Sequence, residues 1–472
     1  MERLHTLSNI TIPTQVMVDP WAGLRERILG AVISPDDPRY SEARQAWNRT
    51  VVQHPAVIVI AENSADVVEA VRFARESGLR VAVQATGHGN VRPADGALLI
   101  LTSAMQELRV DATTQTAWVG AGVKWGRVLA AAQAVGLAPL LGSSPDVGAV
   151  GYTLGGGMGW LARQYGLSAD HVRRFEVVTV DGQLRPASAD ENRDLFWGLR
   201  GGGGSLGIVT GMEIELFPLT TVYAGNLFYP MAMAREVLRH YRAWVATLPE
   251  TLTSSIVIMN FPPIPEVPEP LRGQSFVLVR GCFTGSVAEG EALLESWRRW
   301  RTPLIDDFKA MPFSNAGKIS DEPEEPMPAF STAAWLHSLS DEVIDALVQY
   351  GPAANGSPLA VIEIRHAGGA VKRVQPGSVA FSNRDAEHLI HMIGMTPTPD
   401  AQRAVSQYTG QFKQAIQGSL TGTVYMNLIE GEESQQRIQD GYKPEAYARL
   451  QTLKAKYDAD NRLGFGFNIR PA

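Results

Sequence analysis

The sequence predicts an α+β protein with two domains, and three observations carry that prediction. From Pro55 to about residue 215, short apolar strand patterns and helical patterns follow one another without the simple alternation of an α/β sheet. Beyond Pro218 the character changes to a long amphipathic helix, a proline-dense loop over 261–268 and further strands. A chain of 472 residues also exceeds what one hydrophobic core usually organises, so we expect two or three domains.

The first region opens with a pattern typical of a strand, a helix and a second strand. Residues 57–60 form an apolar strand, 63–66 give a helix cap, and Val67, Val71 and Ala74 share one helical face. Further strands are predicted at 80–84, 97–101, 107–111, 115–119 and 175–180, with a helix at 124–135.

The second region predicts one antiparallel sheet with helices against a face. An acidic segment within 312–330 is expected to be an exposed loop, and a last helix spans Pro444 to Tyr457. Strands are predicted near 253–260, 275–281, 359–365 and 422–428, and helices near 231–246, 286–300, 340–351 and 397–417.

Composition limits the partners of the chain. The formal net charge is −7 with acidic and basic residues interspersed, which argues against nucleic acid or a membrane surface as the main partner. The single cysteine, Cys282, excludes an intrachain disulfide and a cysteine-rich metal site. No apolar run approaches the roughly 20 residues of a membrane span, so we expect a cytoplasmic protein acting on a small molecule. The sequence leaves the oligomeric state open.

A glycine-flanked histidine is the most informative feature of the chain. An apolar strand runs into Gly87-His88-Gly89, where little side-chain bulk surrounds the imidazole. Two glycine clusters follow, at 155–159 and 201–204, and neither has the Gly-Lys-Ser/Thr of a Walker loop or the context of a Rossmann fingerprint. Their backbone N–H groups can line one elongated ligand such as a dinucleotide, with the imidazole beside it.

These motifs resemble a known family of flavoproteins. Residues 44–217 are similar to the FAD-binding domain of the vanillyl-alcohol oxidase or p-cresol methylhydroxylase (PCMH) superfamily, in particular the berberine-bridge-enzyme-like oxidases. The motifs that carry the resemblance are Ala46-Trp47-Asn48, Ala85-Thr86-Gly87-His88, Val147 to Gly151, Leu154 to Gly159, Arg163 to Val172, Asp194 to Trp197 and the second glycine cluster. The resemblance continues through Gly368-Gly369, Arg384 and Tyr447 to Tyr457.

The resemblance implies a two-domain flavoprotein with FAD held between the domains. We expect a PCMH-type FAD-binding domain over 1–217 with its core at about 50–217, a substrate domain over 218–430, and a C-terminal segment, 431–472, that returns to the FAD domain. FAD would be attached through His88 alone, because Ser144 stands where many members place a second, cysteine link. The residues expected to contact FAD are Gln84, Ala85, Thr86, Gly87, His88, Gly89, Asn90, Ser144, Val147, Gly148, Gly151, Tyr152, Thr153, Gly156, Gly159, Gly207, Ile208, Val209 and Asn468.

The expected activity is oxidation of a small organic or secondary-metabolite substrate at an alcohol-type carbon, with dioxygen as final acceptor. In the resembling enzymes a valine at the position of Val147 accompanies oxygen reactivity, although a β-branched side chain there is also explained by packing. A dehydrogenase with another acceptor, a sugar oxidase and a catalytically idle flavin carrier are the alternatives, because fold and cofactor do not define a substrate.

Candidate residues for proton transfer and substrate binding follow from the same resemblance. Tyr442 is expected to be the base and Tyr165 a second active-site tyrosine, although each is equally explained as an amphipathic wall residue. In the segment 384–392, the period of two places His388, Ile390 and Met392 on one face, which we expect to face the flavin, while His391 points away. Tyr425 and Asn427 are expected to line the same cavity.

Overall fold

The computed structural model describes residues 19–89 and 92–472. In the first domain these residues form sheets of four, five and two strands, in the orders β1-β2-β4-β3, β5-β6-β10-β8-β9 and β11-β7. Within the described ranges the strands are β1 (Ala31–Ile33), β2 (Val57–Ile60), β3 (Val81–Gln84), β4 (Leu98–Leu101), β5 (Leu108–Asp111), β6 (Thr116–Gly120), β7 (Leu137–Ala138), β8 (Val172–Val178), β9 (Leu184–Ser188), β10 (Ile208–Glu215) and β11 (Phe217–Pro218).

The helices of the first domain connect these strands. The Asn63 side chain caps the helix between β2 and β3 by accepting a hydrogen bond from Asp66 N at 3.0 Å. Strands β2 and β3 both pair in parallel with β4, so the chain makes a crossover through that helix. The helices are α1 (Ala22–Arg25), α2 (Tyr40–Ala43), α3 (Ser64–Glu76), α4 (Trp125–Gln133), α5 (Ala149–Leu154), α6 (Ala162–Tyr165) and α7 (Arg193–Leu199).

The second domain is built on one antiparallel sheet of eight strands. Its path is β15-β12-β14-β13-β18-β19-β17, and β16 pairs with β12. The strands are β12 (Thr221–Pro230), β13 (Leu252–Asn260), β14 (Ser275–Phe283), β15 (Ile305–Asp306), β16 (Lys309–Pro312), β17 (Ala329–Leu336), β18 (Leu359–His366) and β19 (His388–Met395).

Helices cover one face of this sheet. The described helices of the second domain and the C-terminal segment are α8 (Ala234–Val245), α9 (Val287–Trp300), α10 (Asp341–Tyr350), α11 (Pro399–Ala415), α12 (Glu433–Gln436) and α13 (Pro444–Tyr457). Val237, Leu347 and Phe412 of α8, α10 and α11 pack with Ile364 and Ile390 of the sheet in one core. The α+β fold with one helix-covered antiparallel sheet is therefore confirmed.

The prediction of a strand at 422–428 was wrong. This segment holds only a short 3-10 turn at Met426–Leu428, and its side chains bond to the first glycine cluster. The strands β12 and β17 were not predicted. Residues 321–326 are exposed, as expected for the acidic loop, but Phe313 and Ile319 just before them are buried in a 3-10 helix.

Candidate functional site

The His88 loop lies at the end of β3. Gly87 has a φ of +82°, and a side chain there would collide with Ala46, whose Cβ lies 2.7 Å from the position of an added Cβ. The Trp47 ring stacks on the His88 ring with 4.1 Å between centroids. His88 Nε2 lies 3.2 Å from Asp146 Oδ2, and burial lowers the pKa of His88 to about 4 against the opposing field of that carboxylate. The imidazole is therefore neutral near pH 7.

The His88 loop is tied to the second domain through its neighbours on the 46–50 segment. Trp47 Nε1 donates to Glu324 O at 2.9 Å, which fixes the acidic loop beside the stacked rings. Asn48 Nδ2 donates to Ala329 O at 3.0 Å and to Glu430 Oε2 at 3.2 Å. The segment that carries His88's stacking partner thus contacts the start of β17.

A cluster of seven polar side chains lies on the face of the large sheet that is not covered by helices. Cys282 and Leu389 of this face belong to the core shared with the first domain, so the face is directed toward that domain. Cross-strand pairing joins Asn226 to Arg280 and Glu363 to His391. The seven side chains, called the polar layer below, are Asn226, Ser255, Arg280, Ser331, Glu363, Arg365 and His391.

Charges in the polar layer are paired around one carboxylate. Glu363 Oε2 accepts from Arg365 Nε at 2.7 Å, and Glu363 Oε1 lies 3.7 Å from Arg280 Nη1. Burial would raise the pKa of Glu363, but the two arginines outweigh it and lower that pKa to about 2. Arg280 Nε also donates to Asn226 Oδ1 at 2.8 Å. Glu363 is therefore a fixed anion and a poor proton acceptor.

His391 lies on this same face, opposite Glu363 across the strands, so the expectation that it points away from the site was wrong. Its Nε2 lies 2.7 Å from Ser331 Oγ. Its Nδ1 is buried and has no hydrogen-bond partner among the residues that the structure describes. Burial and the Arg365 charge lower the pKa of His391 to about 3, so the ring is neutral.

Ile390 and Met392 are corrected as substrate residues. Both are fully buried in the core between the sheet and its helices, because even-numbered positions of β19 point to the helical layer. His388 shares that parity and stacks on His366 with 5.5 Å between ring centroids. The predicted period was right, but the face chosen as the flavin side was the opposite one.

Tyr442 and Tyr165 do not occupy the polar layer. Tyr442 is 4% exposed, its hydroxyl donates to Gly201 O at 3.1 Å, and burial raises its pKa above the ordinary value. Tyr165 packs against Phe217 with 4.1 Å between ring centroids, and burial raises its pKa as well. These contacts and raised pKa values favour the explanation of both as wall residues, and the roles of Tyr442 as base and of Tyr165 as a second active-site tyrosine stay predictions.

Tyr425 and Asn427 hold the first glycine cluster. Tyr425 is 2% exposed, and its hydroxyl accepts from the N–H groups of Gly157 and Met158, each at 3.1 Å. Asn427 Nδ2 donates to Tyr152 O at 2.9 Å. Because these polar groups are used inside the protein, the structure corrects their predicted role from substrate binding to support of the loop.

The predicted FAD-contact residues fall into two groups. Residues 85–89, Val147, Gly151 and Tyr152 are at least partly exposed along one region of the first domain, whereas Asn90 lies outside the described residues. Gly159 is half-buried beside Leu141. The others are buried: Gln84 bonds Gln45 O, Ser144 Oγ accepts from Asp146 N, Gly148 bridges Lys124, Thr153 bonds Ala149 O, Gly156 packs on Phe381, Gly207 packs on Val177, and Ile208, Val209 and Asn468 lie in the interior.

The polar atoms of this region fit a bound dinucleotide. The Tyr152 hydroxyl and Asn468 Oδ1 are buried, and neither has a hydrogen-bond partner within the described ranges. Unpaired buried polar atoms are costly, so such atoms point to a polar ligand that satisfies them. The neutral imidazole of His88 and the open space beside Gly151 are compatible with a bound FAD.

Sequence reasoning missed Arg280, Glu363 and Arg365. Arg280 is the one charged residue of Ser275–Phe283, and Glu363 and Arg365 are the two charged residues of Leu359–His366; the other residues of both strands are mainly apolar. A charged residue at such a position is rarely buried unless it is paired, and that pattern was the available signal.

Comparison with known proteins defines the class. Residues 55–188 match the family described as an FAD binding domain. The FAD-linked oxidoreductase YvdP of Bacillus subtilis is 28% identical over 94% of this chain and 99% of the relative. The (R)-6-hydroxynicotine oxidase of Paenarthrobacter nicotinovorans is 25% identical over 94% of this chain and 97% of the relative. The protein is therefore an FAD-linked oxidoreductase.

The fold agrees with this class. Physcomitrella patens BBE-like 1 superposes with a TM-score of 0.82 and 21% identity, covering 95% of this chain and 98% of that chain. The chain therefore contains an FAD-binding domain and shares the fold of Physcomitrella patens BBE-like 1. In the described part of the chain, no helix is both long and apolar enough to cross a membrane.

Proposed function

We propose that the chain is an FAD-dependent oxidase that removes two electrons from an alcohol-type carbon of a small organic substrate, with hydrogen peroxide as the second product. The observation that carries this proposal is the polar layer, which faces the FAD-binding domain and is linked to the His88 loop through Asn48 and Glu430. When bound, FAD supplies the two-electron acceptor, and dioxygen restores its oxidised form.

His88 is the proposed site of covalent attachment. Because burial keeps its imidazole neutral, a nitrogen lone pair is available for bond formation near pH 7. Trp47 holds the ring from one side and Asp146 orients it through Nε2. The link is single, because Ser144 has no sulfur to offer and Cys282 is buried elsewhere, on the sheet of the second domain.

His391 Nδ1 is the proposed proton acceptor. Ser331 Oγ lies 3.2 Å from Leu428 O, and since a carbonyl only accepts, the serine donates to it. The serine oxygen then accepts from His391 Nε2–H, which leaves the lone pair on Nδ1. Glu363, paired with His391 across the strands, favours the imidazolium that forms when Nδ1 takes the substrate hydroxyl proton, whereas burial and the Arg365 charge oppose it.

Val147 supports dioxygen as the acceptor. Its side chain is half-buried, and its backbone is fixed by Val147 O accepting from Trp125 N at 3.0 Å. In the resembling family a valine at this position accompanies oxygen reactivity. The (R)-6-hydroxynicotine oxidase relative is an oxidase by name, which favours the same acceptor for this chain.

We place the enzyme in the cytoplasm.

The test is a visible spectrum of the purified holoenzyme before and after acid precipitation. Flavin colour that stays with the pellet in the wild type and moves to the supernatant in His88→Ala supports attachment through His88. A panel of alcohols is then screened for peroxide release. Flavin that is reduced by substrate but is not reoxidised by air would identify a dehydrogenase. A colourless protein that FAD cannot reconstitute would refute the proposal.

A further inference from the structure

We propose that the substrate carries a carboxylate and that Arg365 binds it. This inference rests on the proposed function and adds the chemical class of the substrate. Arg365 projects from β18 on the face directed toward the FAD-binding domain, on the same strand as Glu363 and beside the strand of His391. The residue is thus placed to hold one end of a molecule whose other end meets His391.

The guanidinium of Arg365 has unused donors. Its Nε donates to Glu363 Oε2, while its two Nη groups make no hydrogen bond to any residue in the described ranges. The side chain is 19% exposed, compared with 6% for Arg280 and 6% for Glu363. Arg365 is therefore the cation of the polar layer that an incoming molecule can reach, and its planar fork matches a carboxylate in two parallel hydrogen bonds.

The charged groups around the Arg365 guanidinium allow one further anion to bind. Among the described residues, Glu363 is the carboxylate within ion-pair distance of both Arg365 and Arg280. Asp307 and Glu322 also act on Arg280 through their fields, and Glu322 acts on Arg365 without forming an ion pair with it in the described ranges. Because Arg365 has one direct carboxylate partner and two Nη groups without a hydrogen bond to the described residues, a monoanion is the favoured occupant.

The charge of Arg365 also acts on Tyr152, one of the residues expected to contact FAD. Burial raises the pKa of Tyr152, and the Arg365 charge acts on the same hydroxyl in the opposite direction. Tyr152 belongs to the group of partly exposed residues expected to contact FAD. We expect a carboxylate bound at Arg365 to change the absorption spectrum of the flavin, which gives a readout that does not depend on turnover.

The experiment titrates the holoenzyme with benzoate and acetate and records the flavin difference spectrum, with benzamide and acetamide as neutral matches. We expect saturable binding of a carboxylate at least tenfold tighter than that of its amide. Arg365→Gln should weaken carboxylate binding at least tenfold. Glu363→Gln should bind carboxylate at least as tightly as the wild type, because the competing internal anion is gone. Arg299→Gln, a 79% exposed arginine on α9, is the matched control and should be unchanged.

The double variant Arg365→Gln/Glu363→Gln removes the Arg365–Glu363 ion pair as a unit, and Arg280 keeps its hydrogen bond to Asn226 Oδ1. It should fold with its flavin and still fail to bind carboxylates. Equal binding of carboxylates and amides, or unchanged carboxylate binding in a folded Arg365 variant, would overturn the inference. Neutral alcohols that reduce the flavin while carboxylates fail to bind would overturn it and leave the proposed oxidase standing. A protein without flavin would instead refute the proposed function.

Discussion

Gly155 and Asn427 meet at a contact that leaves no room for a methyl group. A Cβ added at Gly155 would lie 1.8 Å from Asn427 Oδ1, far inside contact distance. The φ of Gly155 is −94°, so alanine there adds no backbone strain and the effect is steric alone. We predict that Gly155→Ala displaces the Asn427 amide and destabilises the protein.

The size of the effect follows from the bonds that Asn427 would lose. Its Nδ2 donates to Tyr152 O at 2.9 Å and to the Tyr425 hydroxyl at 3.3 Å. Two hydrogen bonds contribute about 1 kcal/mol each, and overpacking costs about 1–3 kcal/mol more, so Gly155→Ala should cost about 3–5 kcal/mol. For a domain of this size the melting temperature should fall by about 6 °C or more.

A double-mutant cycle tests the reasoning by thermal unfolding of the holoprotein. Asn427→Ala alone should cost about 1–3 kcal/mol, because it leaves the Tyr152 carbonyl unpaired. The double variant Gly155→Ala/Asn427→Ala should cost no more than Asn427→Ala, since the clash is gone. Additive losses in the double variant would show that the two residues do not collide and would refute the steric account.

Three further predictions concern the site. His391→Gln should lower kcat at least a hundredfold with little change in KM, and an unchanged kcat would remove His391 from proton transfer. Val147→Ile should slow flavin reoxidation by air without slowing its reduction, measured by stopped-flow absorbance. Burial raises the pKa of Glu430 to about 8. The folded state therefore holds one more proton than the unfolded state between about pH 4.5 and 8. In this range the free energy of unfolding falls as pH rises, by at most about 1.4 kcal/mol per pH unit. Glu430→Gln should flatten the dependence of the melting temperature on pH.

The sequence predicted most of the elements because their patterns are local. The last helix was predicted over Pro444–Tyr457 and is found there, since its Pro start and helical spacing need no tertiary information. The segment 422–428 looks like a strand by composition. In the structure, however, the Tyr425 hydroxyl accepts from Gly157 N and Asn427 Nδ2 donates to Tyr152 O, at and just before the first glycine cluster. Such long-range contacts override local preference and leave no signal in the segment itself.

The site was predicted less completely than the fold. The His88 loop was found because glycines around one imidazole form a local pattern. For β19 the period of two was visible, but a period does not say which face is covered by helices, and His391 was assigned to the wrong side. Arg280 and Glu363 come together only through the pairing of β14, β13 and β18, which the sequence does not specify.

Lys454 and Asp458 have consequences for how the chain becomes a folded protein. Both are fully buried, and Lys454 Nζ donates to Ser205 O at 2.8 Å beside the second glycine cluster. Val81 N at the start of β3 donates to Arg462 O at 3.1 Å. During synthesis, the FAD-binding domain therefore cannot complete these contacts until residues more than two hundred positions later have been made. An excised fragment 1–217 would lack them. A growing chain exposes the corresponding surfaces until the whole second domain has emerged.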